Sequence, residues 1–252
     1  MSVARVAVVT GAAKGIGAAI AAELADAGCE LALIDREDAA PHARGGLAVR
    51  GDVSDLADVH DFTDAVLERF GRVDVLVNNA GISSIGPAES TSVEEWRRVI
   101  DINLTGPFLL CQAFGAQMLA QGEGAIVNVA SIAGLRGVSD RAAYNASKHG
   151  LIGLTRTLAA EWGGRGVRVN AVCPGWVKTP MDVADQAAGG YDDADITDRV
   201  PMGRFAAPHD IAAAVAWLAD PRQAAFVNGV ALPVDGGWTA DASWTSLRLR
   251  KR

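Results

Sequence analysis

Short runs of β-branched and aliphatic residues recur along this chain, and an Ala-rich or amphipathic stretch of helical period separates each from the next. Strands are predicted at 3–9, 30–34, 47–50, 73–77, 125–130, 167–172 and 231–234. Helices are predicted at 15–27, 56–70, 93–119, 141–162 and 211–218, with a bend in the long one at Gly106-Pro107. The strand runs are apolar throughout rather than alternating, as in strands covered on both faces. Strand and helix in alternation imply an α/β fold, a doubly wound parallel sheet with helices on both faces. No internal repeat or low-complexity linker divides the 252 residues, so the whole of 1–252 reads as a single domain. Residues 176–205 break the rhythm and read as a lid or binding loop. Residues 238–252 read as a C-terminal tail that reaches a neighbouring subunit or its active site, and it ends in the basic run Arg248-Leu249-Arg250-Lys251-Arg252.

Composition excludes several functions. Half of the residues are hydrophobic and only 6% are aromatic, which suits an aliphatic core. A net charge of −7 argues against a nucleic-acid partner, which wants a basic face. Cys29, Cys111 and Cys173 are far apart and read as buried thiols of a reduced compartment. The four histidines show no metal-ligand spacing, so no metal is expected. The N-terminus lacks a signal-peptide layout, and no apolar stretch approaches the roughly 20 residues that span a bilayer. The expected setting is the cytoplasm, with no membrane partner.

The first strand runs into Thr10-Gly11-Ala12-Ala13-Lys14-Gly15-Ile16-Gly17 and then a helix. Glycines there let the backbone turn sharply and approach a ligand, and a helix N-terminus offers free N–H groups to a pyrophosphate. The spacing is Gly-x-x-x-Gly-x-Gly, not the commoner Gly-x-Gly-x-x-Gly. Asp35 follows at the end of the second strand, where a carboxylate binds the adenosine ribose and repels a 2′-phosphate. Asp35 therefore favours NAD over NADP, although Lys14 and Arg36 are within reach of a phosphate in sequence.

A second constellation carries proton chemistry. Tyr144 and Lys148 are four residues apart, on one face of a helix, and Ser131 lies upstream. A free phenol, with a pKa of about 10, is a poor base at neutral pH, and a nearby ammonium lowers that value.

In order along the chain, Gly11/Gly15/Gly17, Asp52-Val53, Asn78-Asn79-Ala80-Gly81, Asn103, Ser131, Tyr144-x-x-x-Lys148 and Pro174-Gly175 with Thr179 resemble the short-chain dehydrogenase/reductase family. The resemblance spans nearly the whole chain. It implies a Rossmann-type fold with a nicotinamide cofactor meeting substrate at the carboxyl ends of the strands. It implies that Tyr144 is the general acid/base, Ser131 aims the substrate oxygen, and Lys148 lowers the Tyr144 pKa and holds the ribose. Asn103 would help hold a water that links Lys148 to solvent. Gly11, Lys14, Gly15, Ile16, Gly17, Asp35, Asp52, Val53, Asn79, Ala80, Gly81, Pro174, Gly175, Val177 and Thr179 would join Tyr144 and Lys148 in binding the cofactor. The candidate substrate pocket is Ser83, Ser131, Ile132, Ala133, Val138, Tyr144, Trp176, Met181 and Tyr191. Arg136 and Arg141 are expected to face solvent. A neutral secondary alcohol, ketone, sugar or polyol fits such a pocket. The alternatives are a 3-oxoacyl-thioester reductase using NADPH and a catalytically idle dinucleotide-binding protein. A homotetramer is the assembly the resemblance implies.

Overall fold

Along β1 (Val6–Thr10) the side chains divide between two cores. Ala7 and Val9 join one cluster and Val8 the other, and no residue of the strand is exposed. The same division holds along β2 (Glu30–Asp35), β4 (Val75–Asn78), β5 (Gly124–Val129) and β6 (Val167–Pro174). With β3 (Leu47–Arg50) and β7 (Ala231–Val234) they form one seven-stranded sheet in the order β3-β2-β1-β4-β5-β6-β7. Every adjacent pair is parallel. This computed structural model describes residues 4–243, so the basic run at 248–252 and Val3 of the first predicted strand lie outside the described residues.

One face is covered by α1 (Gly15–Asp26) and α8 (Pro208–Ala219), which bury Ile20, Leu24, Ile211, Val215 and Leu218. The other is covered by α2 (Leu56–Phe70), α4 (Gly106–Gln121) and α5 (Ala142–Trp162). There Phe62 of α2 meets Phe114 of α4 edge to face, with ring centroids 6.0 Å apart. The three cysteines are buried and free. The strand order reverses between β1 and β4, and at such a switch point the loops diverge and leave a crevice.

Two expectations change. The long helix is split into α3 (Val93–Ile100) and α4 by a π-helical segment at Asp101–Thr105, upstream of the expected bend. The reason is the missing N–H of Pro107: in an α-helix it would serve the carbonyl four residues earlier, that of Asn103. The ladder is therefore disturbed around Asn103 rather than at the proline. The run Val93–Gln121 as a whole is also long and apolar enough to cross a membrane, contrary to the expectation from sequence. Half of its most apolar window is buried inside the protein, as in a core helix. Residues 176–205 contain two helices, α6 (Pro180–Gly189) and α7 (Asp193–Thr197).

A polar chain threads the second core. Asn78 Nδ2 donates to Asn128 Oδ1 (2.8 Å), Asn128 Nδ2 to Thr155 Oγ1 (2.9 Å), and Thr155 Oγ1 to the Leu151 carbonyl (2.8 Å). Asn128 and Thr155 are fully buried, so each loses water and must find its partner here. Asn128→Ala strands a donor on Asn78 and an acceptor on Thr155. It is expected to cost about 2–4 kcal/mol in urea unfolding, against about 1 kcal/mol for Thr155→Val, which removes only one end.

Candidate active site

The turn after β1 is shaped by close approach. Gly11 (φ 65°) and Gly15 (φ 59°) adopt the left-handed conformation, and a Cβ on Gly11 would stand 2.8 Å from the Ala80 Cα. A Cβ on Gly17 would fall 2.0 Å from the Gly11 carbonyl oxygen, so that glycine packs the helix under the turn. Lys14 is the N-cap of α1 but gives no side-chain cap, which leaves the first-turn N–H groups open. Opposite them, Asn79 Nδ2 donates to the Thr10 and Gly11 carbonyls (2.9 and 3.0 Å). The Thr10 hydroxyl accepts from the N–H groups of Asn79 (3.0 Å) and Ala80 (2.9 Å).

At the end of β2 the two oxygens of Asp35 accept from the N–H groups of Ala13 and Glu37, both at 2.9 Å. Lys14 pairs with Glu37, and Arg36 Nε is 3.7 Å from Asp52. Burial pushes the Asp52 carboxyl up, but hydrogen bonds from Ser54 and the charges of Arg36 and Arg98 outweigh it and hold the group below its ordinary value. Val53 is buried against Gly106, where a Cβ would come 2.8 Å from the Val53 carbonyl oxygen.

These groups, with Ile16, Gly81, Pro174, Gly175, Val177 and Thr179, line one cleft of about 1070 Å³ at the switch point. Ser131, Ala133, Val138, Tyr144, Lys148, Trp176 and Met181 line its far end. Gly175 sits so close to Asp235 that a Cβ would be 2.8 Å from the Asp235 Cα. Around Val177 the bridging bonds are Ala206 N to Trp176 O (2.9 Å) and Lys178 N to Ala206 O (3.2 Å). The N–H and C=O of Val177 itself therefore point to the opposite side. Thr179 caps α6, its hydroxyl accepting from Asp182 N at 3.3 Å.

Ser131 N-caps a 3-10 turn at Ile132–Gly134, its Oγ accepting from Ala133 N at 3.1 Å. Lys148, on α5 one turn after Tyr144, is 5% exposed and donates to the Val129 carbonyl at 2.8 Å. Its Nζ lies 5.7 Å from the centre of the Tyr144 ring. Burial lowers the Lys148 pKa to about 8. Burial pushes the Tyr144 phenol up; Ser131 and then Arg141 pull it back, and Asp185 opposes them. From sequence, Lys148 was to lower that pKa. In the structure Arg141 is the cation in that position, because the Lys148 ammonium is engaged by a main-chain carbonyl and weakened by its own burial.

Asn103 is fully buried in the π segment. Its Oδ1 accepts from Ile82 N and its Nδ2 donates to Ile82 O, both at 2.9 Å, and Nδ2 also donates to Ser147 Oγ at 3.1 Å. Ser147, which sequence reasoning passed over, in turn donates to the Tyr144 carbonyl at 2.8 Å. Ser147 is one residue from Lys148, and a buried serine on that helix was the available signal.

The largest departure is Arg141. It does not face solvent: its side chain is 8% exposed and lines the cleft. Its Nη1 donates to Ser83 Oγ (2.6 Å) and Asp185 Oδ2 (2.8 Å), and its Nη2 reaches the Tyr191 hydroxyl at 3.4 Å. The guanidinium also lies 5.7 Å from the centre of the Trp176 ring, and Trp176 meets Tyr191 edge to face at 5.5 Å. Ser83 and Tyr191 thus enter the site through Arg141. Arg136 is exposed, 3.5 Å from the Thr239 carbonyl, as expected.

The depressed Lys148 pKa has a stability consequence. Its charged form is disfavoured in the fold, so a penalty of order 3 kcal/mol is complete below pH 8 and fades as pH rises toward 10.5. In Lys148→Met that penalty is gone at every pH. The stability of the wild type relative to the variant should rise by about 2 kcal/mol between about pH 7 and about pH 9.5 in denaturant titrations. A pH-independent difference would contradict the buried, strained ammonium.

A family model described as enoyl-(acyl carrier protein) reductase matches residues 11–239. Over 246 residues the chain is 46% identical to a D-threitol dehydrogenase of Mycolicibacterium smegmatis, covering 93% of each protein. It is 45% identical to a solved NAD(P)-dependent gluconate 5-dehydrogenase from Beutenbergia cavernae, described as putative, with bound NADP at low occupancy (TM-score 0.86; 95% of this chain and 99% of that one). It is 35% identical to a 3-ketoacyl-(acyl-carrier-protein) reductase of Brucella melitensis solved with NADH (TM-score 0.88; 94% and 100%).

Proposed function

We propose that this chain, which belongs to the short-chain dehydrogenase/reductase family, is an NAD-dependent dehydrogenase that interconverts a neutral secondary alcohol and its ketone. The observation that carries the reading is the convergence of Ser131, Tyr144 and Lys148 at the far end of a cleft whose near end is a glycine turn. The near end fits a dinucleotide: the first-turn N–H groups of α1 have no side-chain cap, and a Cβ at Gly11 or Gly17 would collide with backbone. When bound, the nicotinamide supplies or accepts the hydride.

The chain's own residues do the rest. Tyr144 takes the hydroxyl proton during oxidation and returns it during reduction, at the oxygen that Ser131 Oγ aims. Lys148 holds the ribose hydroxyls. Asn103 fixes Ile82 and, through Ser147, the backbone of Tyr144. It would also help hold the water that passes protons from Lys148 to solvent. Val177 turns its free N–H and C=O toward the carboxamide, and Thr179 completes that contact. Asp52 and Val53 flank the adenine.

Asp35 supports NAD over NADP. Its carboxylate is pinned by two N–H groups where the 2′-oxygen would lie, Glu37 adds a second negative charge, and Lys14 and Arg36 are already paired. A polyol is supported by the D-threitol dehydrogenase relative and by a pocket that mixes Ala133 and Val138 with Ser131 and Trp176. The helices of residues 176–205 cover the substrate end as a lid. Exposed Trp96 and Phe108 on α3 and α4, with Trp217 and Phe226, offer apolar faces for a homotetramer. The cytoplasm, where NAD(H) turns over, suits the reduced cysteines.

A screen of tetritols, diols, sugars and ketones with NAD(H) and NADP(H), followed at the reduced-nicotinamide absorbance, tests the reading. No turnover of any secondary alcohol or ketone would sink it. Tyr144→Phe should retain nucleotide binding yet lose kcat by about 10²–10⁴-fold. Asp35→Ser should raise kcat/KM for NADP relative to NAD by at least about tenfold, since it removes one repulsive charge.

A further inference from the structure

We infer that the Arg141–Asp185 pair sets the charge of the substrate. With the pair intact the far end of the cleft admits a neutral, hydroxyl-bearing alcohol; without the Asp185 charge the same place admits a carboxylate. The inference deepens the secondary-alcohol reading above and rests on it.

Arg141 stands three residues before Tyr144 on the chain, so whatever it grips is held beside the reacting oxygen. A guanidinium with an 8% exposed side chain is costly unless it is paired. Arginine grips carboxylates through a planar fork of donors. Here that capacity is used internally: Nη1 donates to Asp185 at 2.8 Å, and Asp185 is itself 17% exposed. On the same helix Asp182 is balanced by Lys178, 3.4 Å away. Lys148 is turned to the Val129 carbonyl. Neither Arg141 nor Lys178 is therefore an uncompensated cation toward substrate.

An incoming carboxylate would have to displace Asp185, which is tethered and always at hand. It would also meet the negative charge it displaced. A substrate hydroxyl faces neither cost, since it can accept from the guanidinium and donate to Asp185 while the pair stays joined. Discrimination thus comes from repulsion as much as from fit. Taking the charge from Asp185 leaves Arg141 buried and unpaired, and an anionic substrate becomes the group that repairs it.

The test uses the full chain with NAD(H) and two substrates of one carbon skeleton, butane-1,3-diol and 3-hydroxybutanoate. These differ only in a terminal hydroxymethyl or carboxylate. The wild type is expected to favour the diol in kcat/KM. Asp185→Asn should move the ratio toward the carboxylate by at least about tenfold. Arg141→Met, which leaves Asp185 unopposed, should move it the other way, and Asp185→Glu should keep the wild-type preference. In thermal unfolding, 3-hydroxybutanoate should stabilise Asp185→Asn and not the wild type, a readout independent of turnover. If Asp185→Asn does not fold, Arg141→Met decides the matter. A ratio unmoved in the folded variants, with the wild type still oxidising the diol, overturns the inference and leaves the secondary-alcohol reading standing. A wild type that oxidises no secondary alcohol overturns that reading instead.

Discussion

The latch between the ends of β1 and β4 is the contact on which the cleft depends. Parallel strands that part in opposite directions at a switch point leave a gap between their loops. Thr10 and Asn79 close its floor with four hydrogen bonds between the two loops. The latch holds the glycine turn against Ala80, and it is why Gly11 has no room for a side chain. It also means that Asn79, read from sequence as a cofactor contact, has both amide hydrogens engaged by protein carbonyls. Its position lines the cleft, while its side chain shapes the wall.

A second support reaches the chemistry from behind. Asn103 clamps Ile82 on the loop after β4 and reaches Ser147 on α5. The loop and the helix that carries Tyr144 and Lys148 are thereby fixed to a third element, the π segment. None of these bonds touches the cleft floor, yet each limits how far the phenol can drift from Ser131. A site assembled from the ends of β5, α5 and the loop after β4 needs such cross-bracing, because reacting groups must stay within fractions of an ångström.

What was legible in the sequence was what is local. The glycine turn, Asp35 at a strand end and the Tyr144/Lys148 spacing each follow from a few consecutive residues. The strand order followed from strict alternation of strand and helix. Arg141 was misplaced because its burial is decided by Asp185 and Tyr191, which reach it only after the chain has crossed β6 and folded back as α6. No periodicity announces a partner 44 residues away. The balance of charges around Tyr144 was missed for the same reason. A helical spacing places Lys148 near the ring but says nothing of the Val129 carbonyl that claims its ammonium. The helix break was predicted from the right residue, Pro107, and displaced by one turn, since a proline removes a bond from the turn before it.

That π segment also sets the phase of everything after it. α3 is mostly exposed, with Val99 its one buried residue among those described, whereas α4 buries Leu110, Cys111, Phe114 and Met118. The wide turn between them acts as a one-residue spacer between an outward-facing arm and a core helix. Each residue of an α-helix advances about 100° around the axis. Removing a single residue from Asp101–Thr105 would rotate the apolar side of α4 out of the sheet or swing Trp96 inward, whatever the identity of the residue lost. Length at this point of the chain is therefore held more tightly than composition, and insertions or deletions here are the changes the fold tolerates least.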